Sequence, residues 1–131
     1  MIRSAPRNGR EATPHWRAAR EGRLSMPFCA CGHVNWPPAD LCPGCGAVPQ
    51  WRDCTGAGTI VTFAIVRRPV QPEWQSEVPY VVAFVALDEG PRLLSNIVDC
   101  DPETLAIGQR VVCRFVETTD PELGLPVFRP A

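Results

Sequence analysis

The chain has 131 residues, 45% of them hydrophobic and 21% charged, with a formal net charge of −1. That is the composition of a soluble globular protein with one compact domain, or one domain and a small appendage. No apolar run approaches the roughly 18–20 residues of a membrane helix, and the opening residues MIRSAPRNGREATPHW hold no apolar signal core, so the expectation is a cytoplasmic protein without a membrane partner. In a reducing compartment seven cysteines point to metal or redox chemistry rather than to disulfides. The small net charge hides an asymmetry: residues 1–28 carry six arginines against Glu11 and Glu21, while residues 29–131 are net acidic. There is no lysine, which excludes Schiff-base chemistry and any lysine-dependent phosphate mechanism within this chain.

Residues 1–12 are mostly polar, and Pro6 and Gly9 discourage a regular element, so they read as a leader: a solvated arm, or one that lies on an acidic partner surface. Thr13 and Pro14 suit the cap and first turn of a short helix that Gly22 would stop, with Trp16 as its main apolar anchor. Residues 28–50 are dense in Cys, Gly and Pro and show neither helical nor strand periodicity. Such a segment has too little apolar surface to fold by burial, which makes a metal its expected organiser.

From Thr59 onward the character changes. TIVTFAIVR (59–67), VPYVVAFVAL (78–87) and RVVCRFVE (110–117) are rich in β-branched residues and read as strands. Asp88-Glu89-Gly90-Pro91 reads as a turn into a further strand at 92–98. Asp101-Pro102-Glu103 resembles a helix start stopped by Gly108, and 127–129 can close the sheet. The expected fold is mainly β: an N-terminal helix within residues 1–27, a ribbon over 28–50, and a small barrel over 51–131.

Cys42-Pro43-Gly44-Cys45-Gly46 has the C-x-x-C-G form of a zinc knuckle, and Cys29 and Cys31 supply a second pair upstream. Two pairs at this separation are the layout of a ribbon whose turns clasp one tetrahedral ion. Three other readings remain open. The CPGC motif also suits a thioredoxin-type dithiol, which would have to open a helix; Gly46 and Pro49 discourage one. His33 can replace one cysteine as ligand. The ribbon can also be metal-free and held by packing.

Cys54, Cys100 and Cys113 are left over, and Cys113 lies inside a strand, where cysteine behaves as a small hydrophobe. A catalytic thiol wants a histidine base, and His15 and His33 both lie outside the barrel sequence. There is no H-E-x-x-H, G-x-S-x-G or phosphate loop, so an enzyme's recognisable equipment is missing. Single-stranded nucleic acid is the alternative suggested by a ribbon and barrel, but it needs a basic groove with exposed aromatics. The barrel region is net acidic, and Phe63, Tyr80 and Phe84 lie in apolar strands where core packing is expected.

The blocks W-x-x-x-x-E-G-x-L (Trp16 to Leu24), C-G-H-V-x-W-P-P (Cys31 to Pro38) and C-P-x-C (Cys42 to Cys45) occur in that order. They are followed by G-x-G-T-I-V-T-F (Gly56 to Phe63), P-Y-V-V-A (Pro79 to Ala83), L-L-S-N-I (Leu93 to Ile97), I-G-Q-R-V (Ile107 to Val111) and the terminal L-P-V-F-R-P-A (Leu125 to Ala131). In this order the chain resembles the zinc-ribbon/OB-fold family of acyl-CoA-associated proteins (domain of unknown function thirty-five). The resemblance implies a rubredoxin-like zinc ribbon and a C-terminal OB barrel. It further implies a non-catalytic accessory subunit that joins a thiolase-fold enzyme (thiolase or steroid side-chain aldolase) or a hot-dog-fold hydratase in a hetero-oligomer. Such a subunit helps bind the CoA ester that the enzyme shares.

Phe28 stands where that family's first cysteine is expected, with Cys29 one position on, so the first knuckle is expected to be distorted or metal-free. If the ribbon does hold metal, the expected ligands are Cys29, Cys31, Cys42 and Cys45 of the two pairs, around a structural Zn2+. Arg67 and Arg68, at the end of the first barrel strand, are the candidates for CoA phosphates, since arginine pairs bidentately with phosphate; solvated strand-end charges are the other reading. Trp16 and Trp74 are the candidate partner contacts, Trp74 either as an interface anchor or as a lid over the barrel.

Overall fold

The computed structural model describes residues 2–7 and 9–131. In chain order the regular elements are β1 (Ile2–Arg3), α1 (Thr13–Arg20), β2 (Leu24–Phe28), β3 (Gln50–Cys54), β4 (Ala57–Val66), β5 (Tyr80–Leu87), β6 (Arg92–Ile97), β7 (Arg110–Thr118) and β8 (Gly124–Pro130). The β-branched runs become strands because alternate residues can turn inward: along β5, Val81, Ala83, Val85 and Leu87 are buried, while Val82, Phe84 and Ala86 face outward. Phe84 is thus not the core residue that its apolar strand suggested. It is 44% exposed, opposite the 61% exposed Leu94 on β6. Phe63 does pack against the core, and Tyr80 is half-buried.

Strands β4 to β8 close on themselves. The sheet runs β1-β7-β4-β5-β6-β8, and β8 returns to pair antiparallel with β7, making a five-stranded barrel. A register shift between Ile60 and Thr62 bends β4, so its first residues pair with β7 while its whole length pairs with β5. The expected short helix between the later strands is a 3-10 turn, Pro102–Thr104, begun by the Asp101 carboxylate accepting from the Glu103 N–H. Between β6 and β8 the ladder is thin, with only Ile97 opposite Phe128.

The first residues are not merely a leader: Ile2 and Arg3 form a strand parallel to the end of β7, extending its edge beyond the point where β4 leaves. Thr13 does not cap α1 either. A 3-10 turn, Arg10–Ala12, leads straight into the helix, and the cap position falls on Ala12 with no side-chain bond. The stop comes where the sequence put it: the N–H of Gly22 donates to Ala19 O (3.1 Å) and that of Arg23 to Ala18 O (2.9 Å), a Schellman ending. Helix α1 buries His15, Ala18 and Ala19 against β8 and β2 of its own chain.

Strands β2 and β3 form an antiparallel hairpin stem whose far end carries the cysteine turns. Leu24 and Met26 of β2 belong to the barrel core, so the stem is anchored by burial rather than by the turns alone. Among the described residues no helix is long and apolar enough to cross a membrane.

Candidate functional site

The four cysteines expected as ligands converge. Their sulfurs lie within 4.8 Å of one another, with Cys29 and Cys45 3.3 Å apart and Cys31 and Cys42 3.6 Å apart. A tetrahedral ion with metal–sulfur bonds of about 2.3 Å has sulfur–sulfur edges of roughly 3.8 Å, so four thiolates here can hold one ion after shifts of a few tenths of an ångström. The two knuckles use the same device. The N–H of Gly32 returns to Cys29 O (2.9 Å) and that of Gly46 to Cys42 O (2.7 Å), with Gly32 and Gly46 at φ of +85° and +79°, where a side chain is disfavoured.

Phe28 explains the unusual spacing of the first pair. It still belongs to β2, paired with Gln50 and lying under the Arg52 guanidinium (4.2 Å), so the turn begins one residue later and the knuckle nevertheless closes. Burial works to raise the Cys42 thiol, but the N–H groups of Cys45 and Gly44 and the thiols of Cys31 and Cys29 bring it down to about 6. Cys42 is thus the readier thiolate, while Cys29 and Cys31 in the same cluster are shifted upward.

The rival readings of this cluster fare differently. Cys42 to Cys45 form a turn and not a helix start, as the redox reading would need. His33 is not among the converging ligands; its ring packs where a Cβ on Gly44 would stand, 3.2 Å from Cγ. The three remaining thiols are poor nucleophiles. Burial pushes Cys113 up to about 12 and Cys54 to about 11, and it raises Cys100 as well. His15 is buried, its Nδ1–H donating to Ser25 O (2.9 Å), and burial lowers its pKa.

A second feature brings together residues distant in sequence. Where β6 and β8 part, a cleft of about 380 Å³ opens, and both Trp16 and Trp74 line it. Trp74 ends the 3-10 turn Pro72–Trp74, half-buried, stacked on Tyr80 (centroids 4.6 Å apart) and beneath the Arg3 guanidinium (4.1 Å). His15 touches both Trp16 (4.5 Å) and Trp36 (4.6 Å). Sequence reasoning found Trp16 and Trp74 but missed Arg3, His15 and Trp36. Arg3 was absorbed into the leader, and nothing local indicates that β1 carries it back to the barrel. The Trp36-Pro37-Pro38 run was the available signal for Trp36.

Arg67 and Arg68 both lie exposed at the end of β4, away from the cleft lining. Arg67 is ion-paired with Glu103. Other barrel arginines are likewise occupied, Arg110 by Asp88 and Arg114 by Asp99.

Against known proteins, a family model described as ChsH2, C-terminal OB-fold domain, matches residues 51–116. A DUF35 domain-containing scaffold protein of Pyrococcus furiosus is 34% identical over 123 residues, covering 90% of this chain and 88% of that one. The chain belongs to the DUF35 family. Within and around that family, a probable enoyl-CoA hydratase alpha subunit of Thermomonospora curvata is 39% identical over 133 residues, 99% of this chain. This DUF35 chain spans only 40% of that subunit's length. A solved structure described as Ltp2-ChsH2(DUF35) aldolase superposes with a TM-score of 0.84 at 38% identity, covering 95% of this chain and 98% of that chain.

Proposed function

We propose that this DUF35 chain is a non-catalytic accessory subunit of an enzyme acting on acyl-CoA esters, holding a thiolase-fold enzyme (thiolase or aldolase) or a hot-dog-fold hydratase in a cytoplasmic hetero-oligomer. The observation that carries this reading is the end-to-end likeness to the DUF35 chain of an aldolase complex, at 38% identity. The thiol chemistry supports it: Cys54, Cys100 and Cys113 are all pushed upward, and the buried His15 holds a backbone carbonyl rather than activating a nucleophile. A nucleic-acid role has less support, because a groove tracking phosphates needs a surplus of cations and residues 29–131 are net acidic.

The ribbon's ion is zinc in this reading, since four thiolates in a closed tetrahedron suit Zn2+ and leave no open position for catalysis. Its role is to fix the turns at the end of the β2–β3 stem. The partner contact is assigned to the rim of the cleft, where Trp74 is flanked by the exposed apolar residues Ile2, Val70 and Leu94, with Trp16 reaching the same surface from α1. Arg67 and Arg68 are the proposed contacts for CoA phosphates, and a phosphate must displace Glu103 to reach Arg67.

Co-expression with candidate thiolases, aldolases and hydratases of the same organism tests the proposal. A stable complex on size exclusion is expected, and Trp74→Ala should weaken it at least about tenfold. A chain that remains monomeric beside every such enzyme refutes the assignment. Replacing Arg67 and Arg68 together should lower the complex's CoA-ester affinity about tenfold, and unchanged affinity removes them from the site.

A further inference from the structure

The loop that carries Trp74 is held from the far end of the chain. Residues 70–79 lie between β4 and β5, and none of them is buried. A segment without buried side chains has little of its own to keep it in one place. Its turn bonds are internal: Trp74 N–H to Gln71 O, Gln75 N–H to Pro72 O and Glu77 N–H to Trp74 O. Among the described residues, its hydrogen bonds, ion pairs and ring contacts with the rest of the chain go to Tyr80, the next residue along, and to Arg3 and Ser4. Arg3 pairs with Glu77 (3.3 Å) and lies over the Trp74 ring (4.1 Å), while Ser4 Oγ donates to the Glu73 carboxylate (3.0 Å).

Arg3 can hold the loop because its own backbone is fixed. It pairs with Thr118 at the end of β7, the Thr119 N–H donates to Arg3 O (2.8 Å), and the Ala5 N–H donates to Thr119 Oγ1 (3.0 Å). The residue is only 8% exposed. One guanidinium then serves two ends of the loop's turn, its carbon over the indole and its Nη1 at the Glu77 carboxylate. A lysine ammonium is a compact point charge without that flat face, so it reaches one of the two groups at a time.

We infer that Arg3 is a positioning residue: β1 straps the 70–79 loop to the barrel and keeps Trp74 at the cleft rim in the pose that a partner enzyme meets. The inference rests on the assignment of that rim to the partner. Arg3 is nearly covered and acts through Trp74 and Glu77 rather than by touching the partner. A loop freed from the strap samples many poses, the partner binds only the docked share, and the apparent affinity falls by that share.

The isolated, metal-loaded chain decides the positioning by NMR. Arg3→Ala should move the Trp74 indole N–H resonance toward that of a free indole and lower the heteronuclear NOE of the loop amides. Trp51, on β3 and outside the cleft lining, should keep its resonance. Glu77→Gln loosens the strap from the loop side and should give the same pattern to a smaller degree; it decides alone where Arg3→Ala does not fold. Arg3→Lys should fall between the natural chain and Arg3→Ala. An unchanged Trp74 signal, or a change that spreads to Trp51, overturns the inference. In the complex, a docked share of about one fifth gives about fivefold weaker binding for Arg3→Ala. In a Trp74→Ala background the same replacement should cost under about twofold, because the side chain it positions is gone. An equal loss in both backgrounds gives Arg3 a partner contact of its own and also overturns the inference. Absence of any complex with the natural chain counts against the accessory-subunit reading alone, since the loop is read in the isolated chain.

Discussion

Helix α1 sits on the barrel through a position where no side chain fits. A Cβ added to Gly124, the first residue of β8, would lie 2.7 Å from the Arg20 backbone nitrogen, 2.8 Å from Ala19 C and 2.9 Å from Arg20 Cα. These are backbone atoms of the last helical turn and cannot rotate aside. The helix is also tethered there, with Arg20 Nε donating to Pro121 O (2.9 Å) and Arg20 to Glu117 (3.3 Å), and with Ala18 and Ala19 buried beneath it. Gly124→Ala must therefore push the helix off by several tenths of an ångström or strain the strand, a cost of about 1–3 kcal/mol for overpacking. For a domain of this size that lowers the melting temperature by roughly 4–12 °C. Thermal unfolding followed by circular dichroism measures it, with Val70→Ala as the control, since Val70 is 91% exposed and its loss should cost under about 0.5 kcal/mol. Tryptophan emission gives a second reading, because a displaced α1 carries Trp16 and His15 away from Trp36. A Gly124→Ala protein that melts within about 1 °C of the natural chain with unchanged emission would show that the close approach is not what seats the helix.

Protein purified without added metal should carry about one zinc per chain by elemental analysis, and Cys42→Ser should lower occupancy while chelator lowers the melting temperature. Well under one zinc per chain would mean a ribbon held by packing. His15 sets a pH dependence: burial lowers its folded pKa below the 6.5 of the unfolded chain, so on acidification the unfolded chain binds a proton first. Stability should be full above pH 6.5 and fall as the pH drops through 6.5 toward the folded value, by at most about 1.4 kcal/mol per pH unit from this group. Denaturant titrations across that range check it, and His15→Gln should remove this part of the slope; a slope equal in the variant assigns the effect elsewhere.

Much of the fold was legible because its signals are local. The β-branched runs, the turn at Asp88 to Pro91, the stop at Gly22 and the paired cysteines each declare themselves within a few residues, since alternation, capping and ligand spacing are short-range constraints. The hairpin stem was less visible. Strand β2 reads LSMPF, with a proline inside and four consecutive buried residues, so it lacks the alternation that marks a half-exposed strand. The outward turn of Phe84 followed from the register of β5, which the composition of an apolar strand does not specify.

The amino-acid sequence by itself determined the barrel strands, the four metal-ligand candidates and the lack of a nucleophile with a base, because each depends on residue type and spacing along the chain. Only the tertiary structure decided that Arg3, Trp16, Trp36 and Trp74 share one cleft, that Arg67 is taken by Glu103, and that Gly124 lies under α1. Those outcomes depend on long-range closure: β1 must return to β7, and β8 must turn back against β7, before these residues meet.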